Sequence, residues 1–215
     1  MLTFYYHPLS PIARRVWLAL LEKQLPFEAV LVNLATGEQK QPDYLALNPF
    51  HHVPTLVDGD LAVIESLAIL DYLEAHYPTP SLMPSTSQAI AQMRMVQQVS
   101  VNEIVPKFAV LAAAETPDEA LVQHLEKVLS FLSQQLGSGD YFGGSRLNLA
   151  DIVAGASVPL ICRLGISLES QPAIAAWRQR LAEREAWQKT EPGEPEFLQW
   201  RRYIQLMVKR KLKSA

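Results

Sequence analysis

Residues 2–32, LTFYYHPLSPIARRVWLALLEKQLPFEAVLV, decide the fold of the first part of this chain. Leu2–Tyr6 is short, aromatic and prone to form a strand. After a break, Ser10 and Pro11 have the pattern of a helix N-cap followed by proline at the first helical position. The largely apolar run Phe27–Val32 predicts a second strand, parallel to the first and buried. Such a strand–helix–strand unit has a right-handed crossover.

The segments that follow add to the same sheet. A polar stretch leads into a short helix that ends near Leu47, and Val53–Ile64 is typical of a hairpin with Asp58-Gly59 at its turn. The next helix begins at Ser66. This order, βαβα followed by ββα, matches a thioredoxin-like domain. The expected first domain is therefore α/β, with helices around a mixed four-stranded sheet.

No sequence pattern typical of a strand follows the Pro- and Ser-rich stretch near residue 80. Residues 90–111 have the periodicity of a long amphipathic helix, which Pro106 should bend. A second helix ends at Gly137, a third begins with Asn148 as its cap, and the basic tail after Phe197 also has a helical pattern. We therefore predict an α/β thioredoxin-like domain at residues 1–79, a linker at 80–85 and an all-α C-terminal domain at 86–215.

The composition argues against several classes of function. The chain has 215 residues, a formal net charge of -3 and a pI near 6.0, which give no overall attraction to nucleic acid. Its one cysteine, Cys162, is expected to be an inert core thiol. No Cys/His cluster has zinc spacing, and no apolar run approaches the roughly 20 residues that span a bilayer. Met1–Tyr6 is expected to be a strand and not a signal peptide, so we expect a cytoplasmic protein without metal, membrane or nucleic-acid partners.

Ser10 is the first candidate for chemistry. It lies where a strand gives way to a helix N-terminus, a position that favours an anion. Thioredoxin-like redox proteins carry Cys-Pro-x-Cys at this junction, but Ser10 and Ala13 replace both cysteines, which excludes dithiol chemistry. A hydroxyl here would stabilise a thiolate, or it would only cap the helix. Arg14 and Arg15, one turn further on, either support the anion or solvate a surface.

Three further segments fall at the same end of the predicted sheet. Val53, before Pro54, can pair through its backbone with a peptide-sized ligand, or this is an ordinary trans proline at the start of a strand. Glu65 and Ser66 suit the ammonium and carboxylate of a γ-glutamyl group, although a simple cap by Ser66 explains them as well. A second carboxylate could be held by the polar residues that flank this end, namely Gln39, Lys40 and His52.

Four motifs together resemble the serine-type soluble (cytosolic) glutathione S-transferases, especially the phi class. They are HPLSPIARRV at residues 7–16, NPFHHVPTL at 48–56, ESLAI at 65–69 and NLAD at 148–151. Their order and spacing agree with the family over nearly the whole chain. Gln39 stands where histidine is common in the phi class, and His51 and His52 replace the usual glycine and glutamine. A related bacterial class is therefore the alternative to the phi class.

The resemblance implies a role for each candidate residue. Ser10 would be the catalytic hydroxyl that stabilises the thiolate of glutathione. Val53, before Pro54, would bind the cysteinyl backbone of glutathione, and Glu65 and Ser66 would hold its γ-glutamyl end. The glycyl carboxylate would be bound by Gln39, Lys40 and His52.

The implied activity is the conjugation of glutathione to small hydrophobic electrophiles in detoxification. Glutathione would be a co-substrate, and no cofactor is implied. An apolar electrophile site between the domains would be formed by Leu9, Ile104, Phe108 and Leu111. Members of the family are usually homodimers, and Phe50 would contact the partner or else pack within its own chain. The other candidate functions are a glutathione-dependent isomerase or peroxidase and a non-catalytic scaffold on the same fold.

Overall fold

The computed structural model describes residues 1–213, with side chains up to residue 210. The chain forms two units, and the boundary between them lies between Met83 and Pro84. This boundary falls within the segment 80–85 that the sequence indicates as a linker.

A mixed four-stranded sheet forms the centre of the first unit, as predicted. Its strands are β1 (Leu2–Tyr6), β2 (Phe27–Leu31), β3 (Thr55–Asp58) and β4 (Leu61–Ile64). They lie in the order β2-β1-β3-β4, with β1 and β2 parallel and the other pairs antiparallel. Gly59, at φ 58°, and Asp60 form the turn between β3 and β4. Phe4 and Leu56 are fully buried opposite each other on the two central strands, where they form the middle of the core.

Strand β2 lies at an edge of the sheet, which differs from the buried strand that its apolar sequence predicts. Glu28, Ala29 and Leu31 are exposed on it, whereas Val32, just beyond the strand, is buried. A run of apolar residues does not reveal how many neighbouring strands it will have, so an edge strand can have the sequence of a central one.

Three helices complete the first unit: α1 (Pro11–Glu22), α2 (Pro42–Leu47) and α3 (Ser66–His76). Helices α1 and α3 pack together. Just after α1, the buried Lys23 pairs with Glu74 of α3, at 2.7 Å between Nζ and Oε1, and donates to the carbonyl of Pro80 at 2.8 Å. Glu74 also accepts from the backbone N–H of Leu82 at 3.1 Å. This ion pair therefore ties the last segment of the unit to both helices.

The second unit is helical, as predicted. Its helices are α4 (Ser87–Val99), α5 (Phe108–Ala113), α6 (Glu119–Leu136), α7 (Leu149–Arg163), α8 (Pro172–Ala182), α9 (Glu185–Thr190) and α10 (Glu194–Lys213). Helix α7 is the centre of this unit, because residues 149–158 are all buried and the helix contacts α4, α5 and α8. No helix in the described residues is both long and apolar enough to cross a bilayer.

The long helix predicted for residues 90–111 is interrupted. Helix α4 ends at Val99, a π-helical turn spans Ser100–Ile104, and a 3₁₀ turn at Val105–Lys107 precedes α5. Pro106 lies in the 3₁₀ turn and has no N–H to donate. The chain therefore changes its winding here instead of bending as one continuous helix.

The N-terminus of α7 has the predicted capping box. Oδ2 of Asp151 accepts from the backbone N–H of Asn148 at 2.8 Å, and the Asn148 side chain accepts from Ala150. Oδ1 of the buried Asp151 accepts from the backbone N–H of Phe142 at 3.0 Å and from the indole N–H of Trp177 at 2.8 Å. Burial raises the pKa of Asp151 to about 6, although these three N–H donors act in the opposite direction. One carboxyl group thus joins α7, α8 and the segment before α7.

The basic tail forms α10, as predicted. Arg201 on this helix donates to the carbonyls of Ala112 and Ala114 at the end of α5, at 3.3 and 2.8 Å. Helix α10 also packs against α5. The basic side chains after Arg210 lie outside the described part of the structure.

Candidate functional site

The candidate residues of the first unit lie at one end of the four-stranded sheet. This end, across the tips of the strands, is called the site edge below, and it is distinct from the outer strand β2. Strands β1 and β2 end there side by side, at the paired residues Tyr6 and Leu31. Strand β3 begins there with Thr55, which pairs with Tyr5 and with Ile64 at the end of β4. The segments that leave or enter the sheet at this edge carry Ser10, Gln39, Lys40, His52, Val53, Pro54, Glu65 and Ser66.

Ser10 caps α1, as predicted. Its Oγ accepts from the backbone N–H of Ala13 at 3.1 Å, and Pro11 is the first helical residue. The N–H of Ser10 donates to the His7 carbonyl at 2.9 Å, and Nδ1 of His7 accepts from the N–H of Leu9 at 3.2 Å. Burial lowers the pKa of His7, which favours the neutral ring that this bond requires. Because the cap uses a lone pair of Oγ, the hydroxyl proton of Ser10 remains for donation.

Arg15 reaches the start of α3 at the site edge. Its Nη1 donates to Oγ of Ser66 at 3.4 Å, and the residue is 1% exposed. Burial lowers the pKa of Arg15 to about 10, so the side chain keeps its charge at neutral pH. A buried positive charge therefore lies beside the start of α3. The sequence does not distinguish Arg15 from Arg14, since the contact spans 51 residues.

Glu65, and not Ser66, is the N-cap of α3. The sequence allows Ser66 as the cap, but it is the first helical residue and is buried. Glu65 is exposed, has φ 66° and ψ 116°, and makes no side-chain capping bond. This backbone conformation is strained for a residue with a Cβ, and such strain is concentrated at ligand sites. Since the Glu65 side chain makes no hydrogen bond to the start of α3, the first N–H groups of the helix can receive an anion.

The loop before β3 is held by two side chains in or next to α2. The Val53–Pro54 peptide bond is cis, and both residues are buried. The Tyr44 hydroxyl donates to the carbonyl of His52 at 2.6 Å, and Nδ2 of Asn48 donates to the same carbonyl at 2.8 Å. These bonds position the backbone immediately before Val53. Tyr44 belongs to no motif that the sequence reveals.

The three polar residues predicted for a second carboxylate differ in exposure. Lys40 and His52 are exposed, whereas Gln39 is half-buried in the 3₁₀ turn Glu38–Lys40. Oε1 of Gln39 is buried and has no hydrogen-bond partner among the described residues. Since the two ends of an amide side chain exchange by rotation, Gln39 can present either a donor or an acceptor to a ligand.

The residues predicted to bind an electrophile lie in both units. Leu9 is half-buried on the loop before α1. Ile104 and Leu111 are fully buried, and Phe108 is 6% exposed. Phe108 and Leu111 lie on α5, which contacts α7 and α10. Their part in an electrophile site stays a prediction.

The described part of the chain also bears on two further kinds of site, a metal site and a reactive thiol. No three His, Cys, Asp or Glu side chains there come together as metal ligands would. Cys162 is half-buried, and burial raises the pKa of its thiol, which lowers its reactivity.

Known proteins are similar to this chain over both of its units. Residues 4–81 match the family model of the glutathione S-transferase N-terminal domain, and residues 75–185 match that of the C-terminal domain. Glutathione S-transferase 3 of Zea mays is 36% identical over 208 residues, which cover 88% of this chain and 92% of that protein. Glutathione transferase F7 from Populus trichocarpa has a TM-score of 0.77 and 28% identity, with 88% of this chain and 97% of that chain covered. A bacterial zeta-class maleyl pyruvate isomerase also has a TM-score of 0.77, at 26% identity, with 88% and 96% covered.

Proposed function

Since the chain belongs to the glutathione S-transferase family, we propose that Ser10 holds the sulfur of bound glutathione as a thiolate, which then attacks small hydrophobic electrophiles. The observation that carries this proposal is the Ser10 hydroxyl at the N-terminus of α1, on the same site edge as Val53 and the start of α3. The cytoplasmic location and the role in detoxification stay predictions.

The Ser10 hydroxyl supplies what the thiol of glutathione lacks at neutral pH. A free thiol has a pKa of about 8.5, so only a small fraction is thiolate. A hydrogen bond to a charged group is worth about 1.5–3 kcal/mol, which corresponds to a pKa lower by about one to two units. The partial positive charge at the N-terminus of α1 acts in the same direction. The thiolate then forms the carbon–sulfur bond, and the leaving group departs with its electron pair.

The start of α3 is suited to the γ-glutamyl end of glutathione. Oγ of Ser66 accepts from Arg15, so the Ser66 hydroxyl keeps its own proton for a carboxylate. The charge of Arg15 and the N-terminus of α3 favour the same anion. The exposed carboxylate of Glu65 can accept from the ammonium group. The backbone of Val53 would pair with the cysteinyl residue, and the polar residues for the glycyl carboxylate would be Gln39, Lys40 and His52.

A conjugation assay tests the proposed reaction. The purified chain, mixed with glutathione and a chlorinated nitrobenzene, should form the conjugate well above the uncatalysed rate. S-methylglutathione retains the tripeptide but has no free thiol, so it should inhibit without being consumed. A scaffold protein would give only the background rate, and that result would contradict the proposal.

Glutathione-dependent isomerisation is the second candidate, favoured by the likeness to the zeta-class isomerase. The first helix lacks the Ser-Ser-x-x-x-Arg pattern of that class, which is why conjugation comes first. Turnover of maleyl pyruvate without conjugation of the aromatic electrophile would reverse this order.

We also propose that the protein is a homodimer and that Phe50 contributes to its interface. Phe50 is 58% exposed, and its N–H donates to Oδ1 of Asn48 at 3.0 Å. That bond fixes the backbone of the loop at Phe50. The apolar ring of Phe50 is therefore exposed to solvent within one chain.

Phe50→Ala should lower the dimer fraction in sedimentation velocity, because it removes a large apolar group from the proposed contact. Leu31→Ala is the matched control, since Leu31 is 54% exposed at the end of the edge strand β2. The control should leave the dimer unchanged. Equal dimer fractions for Phe50→Ala and the wild type would remove Phe50 from the interface.

A further inference from the structure

The outward face of α10 has no part in the proposed reaction. Four apolar side chains on this helix are exposed, namely Leu198 at 43%, Tyr203 at 39%, Leu206 at 57% and Met207 at 37%. Residues three and four apart share one face of a helix, so Tyr203 lies together with Leu206 and Met207, whereas Leu198 lies at the border of that face. The exposed cations on that side are Arg202, Lys209 and Arg210.

The opposite side of α10 is already used. Phe197 is 5% exposed, and the guanidinium of Arg163 lies 4.0 Å from the centre of its ring. Arg201 donates to the last carbonyl groups at the end of α5, as described above. The helix is therefore attached through its inner side, and its outward face stays in solvent within one chain.

The charges of the chain are segregated in the same region. Residues 197–215 contain six of the 19 Lys and Arg residues and no Asp or Glu. All 22 acidic residues lie in the rest of the chain, with only 13 Lys and Arg. A basic helix at the end of an otherwise acidic chain is complementary to a negatively charged surface.

We propose that the outward face of α10 binds the surface of an anionic lipid bilayer, with the helix lying flat on it. Cations of the face would meet the phosphate headgroups, and Leu206 and Met207 would enter the boundary between headgroups and acyl chains. The exposed apolar side chains favour lipid over nucleic acid, because phosphates of a nucleic-acid backbone would leave them in water. The sequence alone favours a solvated helix face, since it does not show that these apolar side chains are exposed beside the cations.

Co-sedimentation of the full chain with lipid vesicles tests the proposal. The wild type should pellet with vesicles of phosphatidylcholine and phosphatidylglycerol, stay in solution with phosphatidylcholine alone, and be released by salt. The variant Leu206→Gln/Lys209→Gln should bind at least about fivefold more weakly, since one cation near an anionic membrane contributes about that factor. The control is Met95→Gln/Lys127→Gln, which changes an apolar residue at 47% exposure and an exposed lysine on α4 and α6. It should bind like the wild type.

Several results would overturn the proposal. One is that the wild type does not bind anionic vesicles. Another is that the control variant loses as much vesicle binding as the α10 variant does. Preferential capture of single-stranded DNA over the vesicles, when both are present, would assign the face to nucleic acid. A change in oligomeric state of the α10 variant, with vesicle binding unchanged, would assign it to a second copy of the chain.

Discussion

Ser10→Ala should lower the rate of conjugation by about ten- to a hundredfold and leave the affinity for glutathione nearly unchanged. The variant loses the hydroxyl proposed to hold the sulfur, whereas the contacts proposed between glutathione and Val53, Glu65 and Ser66 are unchanged. The pKa of the bound thiol should rise by about one to two units, because its thiolate loses a charge-assisted hydrogen bond. Steady-state kinetics measures the rate, and the ultraviolet absorbance of the thiolate gives the pKa.

Ser10 also caps α1, so the capping role needs separate controls. Thr86→Ala removes the cap of α4, where Oγ1 accepts from the N–H of Ala89 at 3.3 Å, and should cost about 1 kcal/mol of stability without slowing conjugation. Ser10→Asp keeps a capping acceptor but sets a negative charge against the thiolate, so it should lose activity with α1 intact. Ser10→Thr keeps the hydroxyl and should retain the turnover that Ser10→Ala loses. Wild-type turnover in Ser10→Ala would contradict the proposed role.

Asp151→Ala should lower the free energy of unfolding by about 3–5 kcal/mol. It leaves the backbone N–H groups of Phe142 and Asn148 and the indole N–H of Trp177 without their acceptor in a buried site. Urea denaturation measures the loss. Asp118→Ala is the control, because Asp118 caps α6 by accepting from Leu121 but is exposed, and it should cost only about 1 kcal/mol.

The pH dependence of this loss gives an independent test of Asp151. Its pKa is about 6 in the folded chain and about 3.9 when unfolded, so between these values the folded state holds more protons. The stability that Asp151 contributes should therefore fall as the pH rises from about 4 to 6. The difference in unfolding free energy between the wild type and Asp151→Ala should narrow over that range. A difference that stays constant or widens would mean that the carboxyl is already ionised at the lower pH.

Local patterns in the sequence predicted the features that depend on neighbouring residues. The cap at Ser10, the turn at Gly59, the capping box of Asn148 and Asp151, and the helical tail are all present in the structure. Each is determined by side chains within a few positions of one another. Such features can be deduced from one sequence because their hydrogen bonds close over short loops.

Features that depend on distant residues could not be predicted in this way. The contact of Arg15 with Ser66 joins two helices 51 positions apart, and the edge position of β2 depends on how the other strands are ordered. Glu65 replaces Ser66 as the N-cap because the chain enters α3 at a positive φ, which no residue type there indicates. The side chains that complete the candidate site are thus visible only in three dimensions.

The hydrogen bonds around the His52 carbonyl have a consequence for ligand affinity. The Tyr44 hydroxyl also contacts Oγ1 of Thr55 at 3.0 Å, and Nδ2 of Asn48 donates to the same Oγ1 at 3.3 Å. A tripeptide that arrives at the site edge meets a backbone whose shape is already set. Ordering a flexible backbone costs about 1–2 kcal/mol per residue, and a rigid loop avoids that loss when the ligand binds. More of the contact energy of the tripeptide then appears as affinity.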